Sequence, residues 1–137
     1  MNGAAIEFRD VTVDAAPSRH SGEGVAASGR ILNGISLQLE AGTTTALLGR
    51  SGSGKTTLLR TINGLVLPSS GQVLVDGQSV SQSDLLHLRR GIGYVIQETG
   101  LYPHLSILRN VAMPLEIAGK PKADREFRAR EVLTLTG

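Results

Sequence analysis

Residues 49 to 57 read Gly-Arg-Ser-Gly-Ser-Gly-Lys-Thr-Thr and satisfy every position of the pattern G-x-x-x-x-G-K-[ST]. The apolar run Ala46-Leu47-Leu48 enters this segment and Leu58-Leu59-Arg60-Thr61-Ile62 leaves it at helical spacing. Strand, glycine loop and helix in that order constrain the fold most, because they imply an α/β unit with an anion at the helix start. Gly49, Gly52 and Gly54 let the backbone turn tightly and bring N–H groups close to phosphate oxygens, with Arg50, Ser51 and Ser53 completing the loop. Lys55 is placed to reach the β- and γ-phosphates of a nucleotide, and the Thr56 hydroxyl to ligate Mg²⁺. A Gly/Ser-rich surface turn would be the plain alternative; the strand before and helix after argue against it.

The chain has 137 residues, 40% hydrophobic and 19% charged, which suits one domain-sized globular unit. Aromatics make up only 3%, so any core is aliphatic. A net charge of +2 is too small to argue for nucleic acid or an anionic membrane surface. Cysteine is absent, which excludes disulfides and thiol chemistry and fits a reducing cytosol. Met1 to Asp10 lacks the pattern of a signal peptide, and no stretch approaches the ~20 apolar residues of a membrane span. Membrane association is therefore expected only through a partner.

Strand patterns are expected at Ile6–Val13, Ile31–Leu39, Thr44–Leu48, Gly71–Gly77 with an Asp76-Gly77 turn, and Ile92–Ile96. Residues 14–30 are rich in Ala, Ser and Gly and read as a loop or insert. Helices are expected after the phosphate loop, with Leu58, Leu59, Ile62 and Leu65 as the apolar face, at 85–90 behind a Ser83-Asp84 cap, from Ser106, and from Pro121 to Thr136. Arg89-Arg90 is expected to be a solvated last turn that favours its helix dipole. His20, His87 and His104 have no metal-ligand spacing.

Gly93-Tyr94-Val95-Ile96-Gln97 then leads into a Gly/Pro loop, Glu98 to His104. A glutamine at the carboxyl end of a strand in an open α/β sheet lies near the ligand crevice and can offer its oxygen to a metal or water. On its own it could equally be a strand cap.

With these segments in view, the chain resembles the ATP-binding subunit of an ABC transporter from Ile6 to Gly137. The likeness is carried by Ile-Glu-Phe-Arg-Asp-Val, Leu-Leu-Gly-Arg-Ser-Gly-Ser-Gly-Lys-Thr-Thr-Leu-Leu-Arg, Ser-Ser-Gly-Gln-Val-Leu-Val-Asp-Gly and Ile-Gly-Tyr-Val-Ile-Gln. It implies an α/β P-loop NTPase fold of ABC type. Residues 1–137 would form the N-terminal part, with 15–30 an insert and 98–137 the start of the helical subdomain. By the same resemblance, residues 49–57 hold ATP, Thr57 touches the α-phosphate side, and Gln97 contacts Mg²⁺ or the attacking water. The implied partners are a transmembrane permease and a second ATP-binding subunit, at the cytoplasmic face of the cell membrane. Tyr-Val-Ile-Gln-Glu…Gly-Leu-Tyr-Pro-His-Leu-Ser further resembles importers of quaternary amines such as glycine betaine.

Two departures stand out. The family's adenine-stacking aromatic has no counterpart, since no Tyr, Phe or Trp occurs between Thr12 and Tyr94. His20 could substitute or simply be solvated. No Leu-Ser-Gly-Gly-Gln signature, apolar strand ending in Asp-Glu, or switch histidine occurs in the 137 residues. The polypeptide alone is thus expected to bind Mg·ATP without turning it over, and Glu98, beside Gln97, is a poor candidate base. A regulatory nucleotide-binding module without hydrolysis remains an alternative, as does another P-loop NTPase, although no Asn-Lys-x-Asp motif supports a GTPase. Leu101 and Tyr102 are expected either to dock a permease helix or to fold back as core.

Overall fold

In a computed structural model of the chain, residues 3–15, 29–96 and 100–136 are described. The chain divides into two compact units, Met1–Gly93 and Tyr94–Gly137.

The first unit is built on a four-stranded antiparallel sheet ordered β2-β1-β3-β4, with β1 Ile6–Asp14, β2 Arg30–Leu39, β3 Ser70–Val75 and β4 Gln78–Ser79. Strict alternation along β1 would place Phe8 and Val11 on opposite faces, yet both are buried. A bulge reconciles them: Asp10 adopts φ 50, the register shifts there, and Val11 and Val13 return to the inner face. The Asp10 N–H donates to Ser36 Oγ at 3.0 Å. Opposite the bulge, Gly71 has φ 79 and a Cβ there would run into the Asp10 carbonyl, so this position requires glycine. Asp76 and Gly77, at φ 49 and 77, form the two-residue turn between β3 and β4. On the outer face of β1 the Arg9 guanidinium binds the Glu7 carboxylate at 2.7 Å and holds its pKa below the ordinary value.

Helix α1, Lys55–Ile62, lays Leu58 and Thr61 into the core. The buried cluster is Phe8, Val11, Val13, Leu32, Leu58, Val73 and Val80, with Leu47, Ile62, Val66, Leu85 and Leu88 packed around it. It is aliphatic apart from Phe8. Two residues expected on the inner face of α1 are not there: Leu59 and Leu65 are 46% and 51% exposed. The helix is already closed by buried Asn63, whose Oδ1 accepts from Leu65 N at 3.1 Å, and the chain turns before Leu65 can follow the helical stripe.

Neither Thr44–Leu48 nor Ile92–Ile96 is a strand, contrary to expectation. A strand is defined by its ladder, and among the described residues no neighbour pairs with either run. Leu48 and Val95 are accordingly 92% and 95% exposed. Helix α2, Leu85–Arg90, is capped by Asp84, whose Oδ1 accepts from Leu86 N and His87 N. Ser83 does not share the cap; its hydroxyl donates to Ser79 O.

The second unit contains α3, Ile107–Ile117, capped by Ser106 Oγ, and α4, Lys122–Thr136. Ala112 and Ala129 are buried, small residues that allow the two helices to approach closely. Glu116 lies 3.8 Å from both Arg109 on its own helix and Arg125 on α4. Among the described residues no helix is long and apolar enough to cross a membrane.

Candidate phosphate-binding site

The chain leaves the core at Leu47, runs through an exposed Leu48, Gly49 and Arg50, and re-enters a helix at Lys55. Gly54 is the N-cap of α1 at φ 87, offers no side-chain cap, and no acidic residue occupies the first turn. The first amide bonded within the helix is Leu58 N, to Gly54 O at 2.8 Å. The N–H groups of Lys55, Thr56 and Thr57 precede that bond and lie at the positive end of the helix dipole. This is an end in want of an anion.

The three loop glycines do different jobs. Gly52 has φ 78 with nothing within 4 Å of an added Cβ, so only its backbone conformation demands glycine. At Gly54 a Cβ would lie 2.9 Å from Ile31 O and 2.8 Å from Leu32 Cδ2, so the loop is pressed against the edge of β2. At Gly49 a Cβ would meet Ser53 Oγ at 2.8 Å, across the mouth of the loop.

Lys55 sets the shape of the arch. Its Nζ donates to Gly49 O and Arg50 O at 2.8 Å each and lies 3.4 Å from Ser53 Oγ, while Ser53 N donates to Arg50 O at 3.2 Å. One ammonium thus fixes the entry of the loop to its exit, and the long third bond is the one most easily exchanged. Thr56 is exposed and Thr57 half-buried. The donor set, free amides at the helix start beside the Lys55 ammonium, fits a polyphosphate. For a magnesium ion the fit rests on a hydroxyl at Thr56 beside phosphate oxygens and water, the mixed oxygen set that ion prefers. Among the described residues no cluster of three His, Cys, Asp or Glu could hold a metal by itself.

Gly49 to Thr57 therefore come together as one loop in the first unit. Gln97 and Glu98, like His20, lie outside the described residues. Arg89 is the residue that sequence reasoning missed. Far from being a solvated last turn, its guanidinium donates to Asn63 O at 2.9 Å and Gly64 O at 2.8 Å, binding the carbonyl end of α1. A basic residue three positions before the Ile92–Ile96 run was the signal available, but nothing local shows which carbonyls it would find.

The sequence pattern that defines ABC transporters matches residues 32–137, spanning the loop, α1 and both helices of the second unit. The chain belongs to the ABC transporter family. Among similar proteins, the ABC protein named glycine betaine/carnitine/choline transport ATP-binding protein OpuCA of Bacillus subtilis is 42% identical over 77% of this chain. The methionine import ATP-binding protein MetN of Rhizobium meliloti is 42% identical over 93%. The chain spans 28% and 36% of the length of these two relatives. The ABC-type P-loop fold is seen in the ATP-binding cassette MJ0796, solved as a dimer bound to ADP and Pi. That structure superposes with a TM-score of 0.76 at 29% identity, covering 94% of this chain and 56% of that one.

Proposed function

We propose that residues 1–137 form the N-terminal part of the ATP-binding subunit of an ABC importer, and that Gly49–Thr57 hold the triphosphate of ATP. The observation that carries this reading is the uncapped start of α1 behind a loop already arched by Lys55. On arrival of nucleotide, the free amides of Lys55, Thr56 and Thr57 donate to phosphate oxygens. The Lys55 ammonium gives up its long contact to Ser53 and turns its third donor to the β/γ-phosphates, and Thr57 borders the α-phosphate. Arg50, Ser51, Gly52 and Ser53 supply the outer rim, Gly49 keeps the mouth of the loop clear, and Gly54 seats the loop against β2. Magnesium, when bound, neutralises phosphate charge, with Thr56 and, by resemblance, Gln97 as its protein ligands. Among the described residues no acidic side chain occupies the first turn of α1, and the 137-residue polypeptide is expected to bind nucleotide without turning it over.

In the full-length protein the reading extends to a dimer of ATP-binding subunits on the cytoplasmic face of the membrane, driving import of a small solute through a permease. A glycine betaine-like osmoprotectant suits the Tyr94–Ser106 resemblance; methionine relatives of similar identity make the amino acid the competing solute. The permease contact is read at Leu101 and Tyr102, a reading supported by their exposure of 56% and 51%.

Lys55→Ala tests the site. Loss of the arching cation is expected to weaken ATP binding at least tenfold, about 1.4 kcal/mol. Titration with labelled nucleotide measures it, and unchanged affinity would remove the phosphate-loop assignment.

A further inference from the structure

A nucleotide gripped by its phosphates at Gly49–Thr57 leaves its nucleoside to be placed, and the first unit offers few surfaces for a base. Phe8 is the sole Phe, Tyr or Trp in Met1–Gly93, and it is buried in the core. The exit of the loop lies against the start of β2: a Cβ at Gly54 would sit 2.9 Å from Ile31 O and 3.6 Å from Ile31 Cγ2. Ile31 is 41% exposed, and Arg30 beside it is exposed too.

The Arg30 guanidinium is held in place. Its Nη1 donates to Asn33 Oδ1 at 3.0 Å, and its Nε lies 3.8 Å from Oδ1 of Asp14, the residue opposite it on β1. Ala15 N donates to Gly29 O at 2.8 Å, which fastens the same end of the strand pair one step further out. Arg30 and Asp14 are both exposed, so the ion pair itself contributes little stability. Its effect is orientation. The donors of a guanidinium lie in its plane, so acceptors at its edge fix that plane and leave its faces to a ligand. Arg9 and Arg89 are held elsewhere, by Glu7 and by the carbonyls of Asn63 and Gly64. A guanidinium plane stacks on a base and adds cation–π attraction.

We propose that Arg30 is the nucleobase platform of this chain, its guanidinium oriented by Asn33 and Asp14 and stacked on the base beside Ile31. The inference rests on the phosphate-loop reading given above and adds the residue that holds the other end of the ligand. A stack meets the π-face of a base and leaves its hydrogen-bonding edge unread. The site therefore takes purine nucleoside triphosphates with little choice between adenine and guanine.

The test titrates the full-length protein with ATP, GTP and inorganic tripolyphosphate, which carries the phosphates without a nucleoside. Arg30→Ala is expected to weaken ATP and GTP about tenfold and to leave tripolyphosphate within about twofold. Arg30→Lys keeps the charge without the plane and should restore little of the loss. Wild type should hold ATP and GTP within about fivefold of each other. Equal losses of ATP and tripolyphosphate in Arg30→Ala would show a charge acting on phosphate and overturn the proposal. So would unchanged ATP affinity in Arg30→Ala, or wild-type ATP affinity restored by Arg30→Lys. Tripolyphosphate binding that Lys55→Ala leaves unchanged would instead overturn the phosphate-loop reading on which the proposal stands.

Discussion

Gly54→Ala and Gly52→Ala make an internal comparison within one loop. Both glycines have positive φ, 87 and 78, so an alanine at either pays the same left-handed penalty, about 1–2 kcal/mol. Only Gly54 has neighbours: an added Cβ would sit 2.9 Å from Ile31 O and 2.8 Å from Leu32 Cδ2. Leu32 can rotate, but Ile31 O belongs to the backbone of a paired strand and cannot step aside alone. Overpacking of that kind adds about 1–3 kcal/mol. Gly54→Ala is therefore expected to destabilise by about 2–5 kcal/mol and Gly52→Ala by about 1–2 kcal/mol. Urea unfolding of the full-length protein reads this as a shift of midpoint at constant slope. Nucleotide titration should add a second difference, since moving Gly54 displaces the amides at the start of α1. Equal midpoint shifts in the two variants would refute the argument that the loop is seated on β2.

Arg89→Ala leaves the Asn63 and Gly64 carbonyls without their donor and should destabilise the first unit by about 1–3 kcal/mol, with Arg89→Lys recovering little because an ammonium lacks the fork; thermal unfolding of the three forms tests this. Asp84→Ala removes the α2 cap and should lose about 0.5–2 kcal/mol, whereas Ser83→Ala should lose less, a ranking that denaturant midpoints can reverse. A polypeptide of residues 1–137 should release no phosphate above background; Lys55-dependent turnover would show that an acid within it, Glu98 foremost, serves as base.

What could be read from the chain was what is local. The loop from Gly49 to Thr57, the Asp84 cap and the Asp76-Gly77 turn each depend on neighbours a few residues away, and pattern carries that information. Arg89 could not be read this way, because its acceptors lie 26 and 25 residues upstream and are backbone carbonyls that any sequence would supply. Asn110 reaches Tyr102 eight residues away through backbone groups as well, which nothing in the sequence nearby points to. The errors at Thr44–Leu48 and Ile92–Ile96 are of another kind. Apolar β-branched runs state a preference for strand, but a ladder needs a second strand, and among the described residues none pairs with them.

Those two runs set how the chain must behave while it is being made. Thr44–Leu48 and Tyr94–Ile96 carry no charge and no proline, and Leu48 and Val95 are almost wholly open to solvent. Short segments of that character, with no ladder partner among the described residues, are templates for intermolecular β-pairing. Synthesis proceeds from the N-terminus at about 5–20 residues per second, so each run spends seconds outside the ribosome before later segments can reach it. Misassembly in that interval would be concentration-dependent, and a charged residue in place of Val95 would suppress it in a polypeptide of these residues.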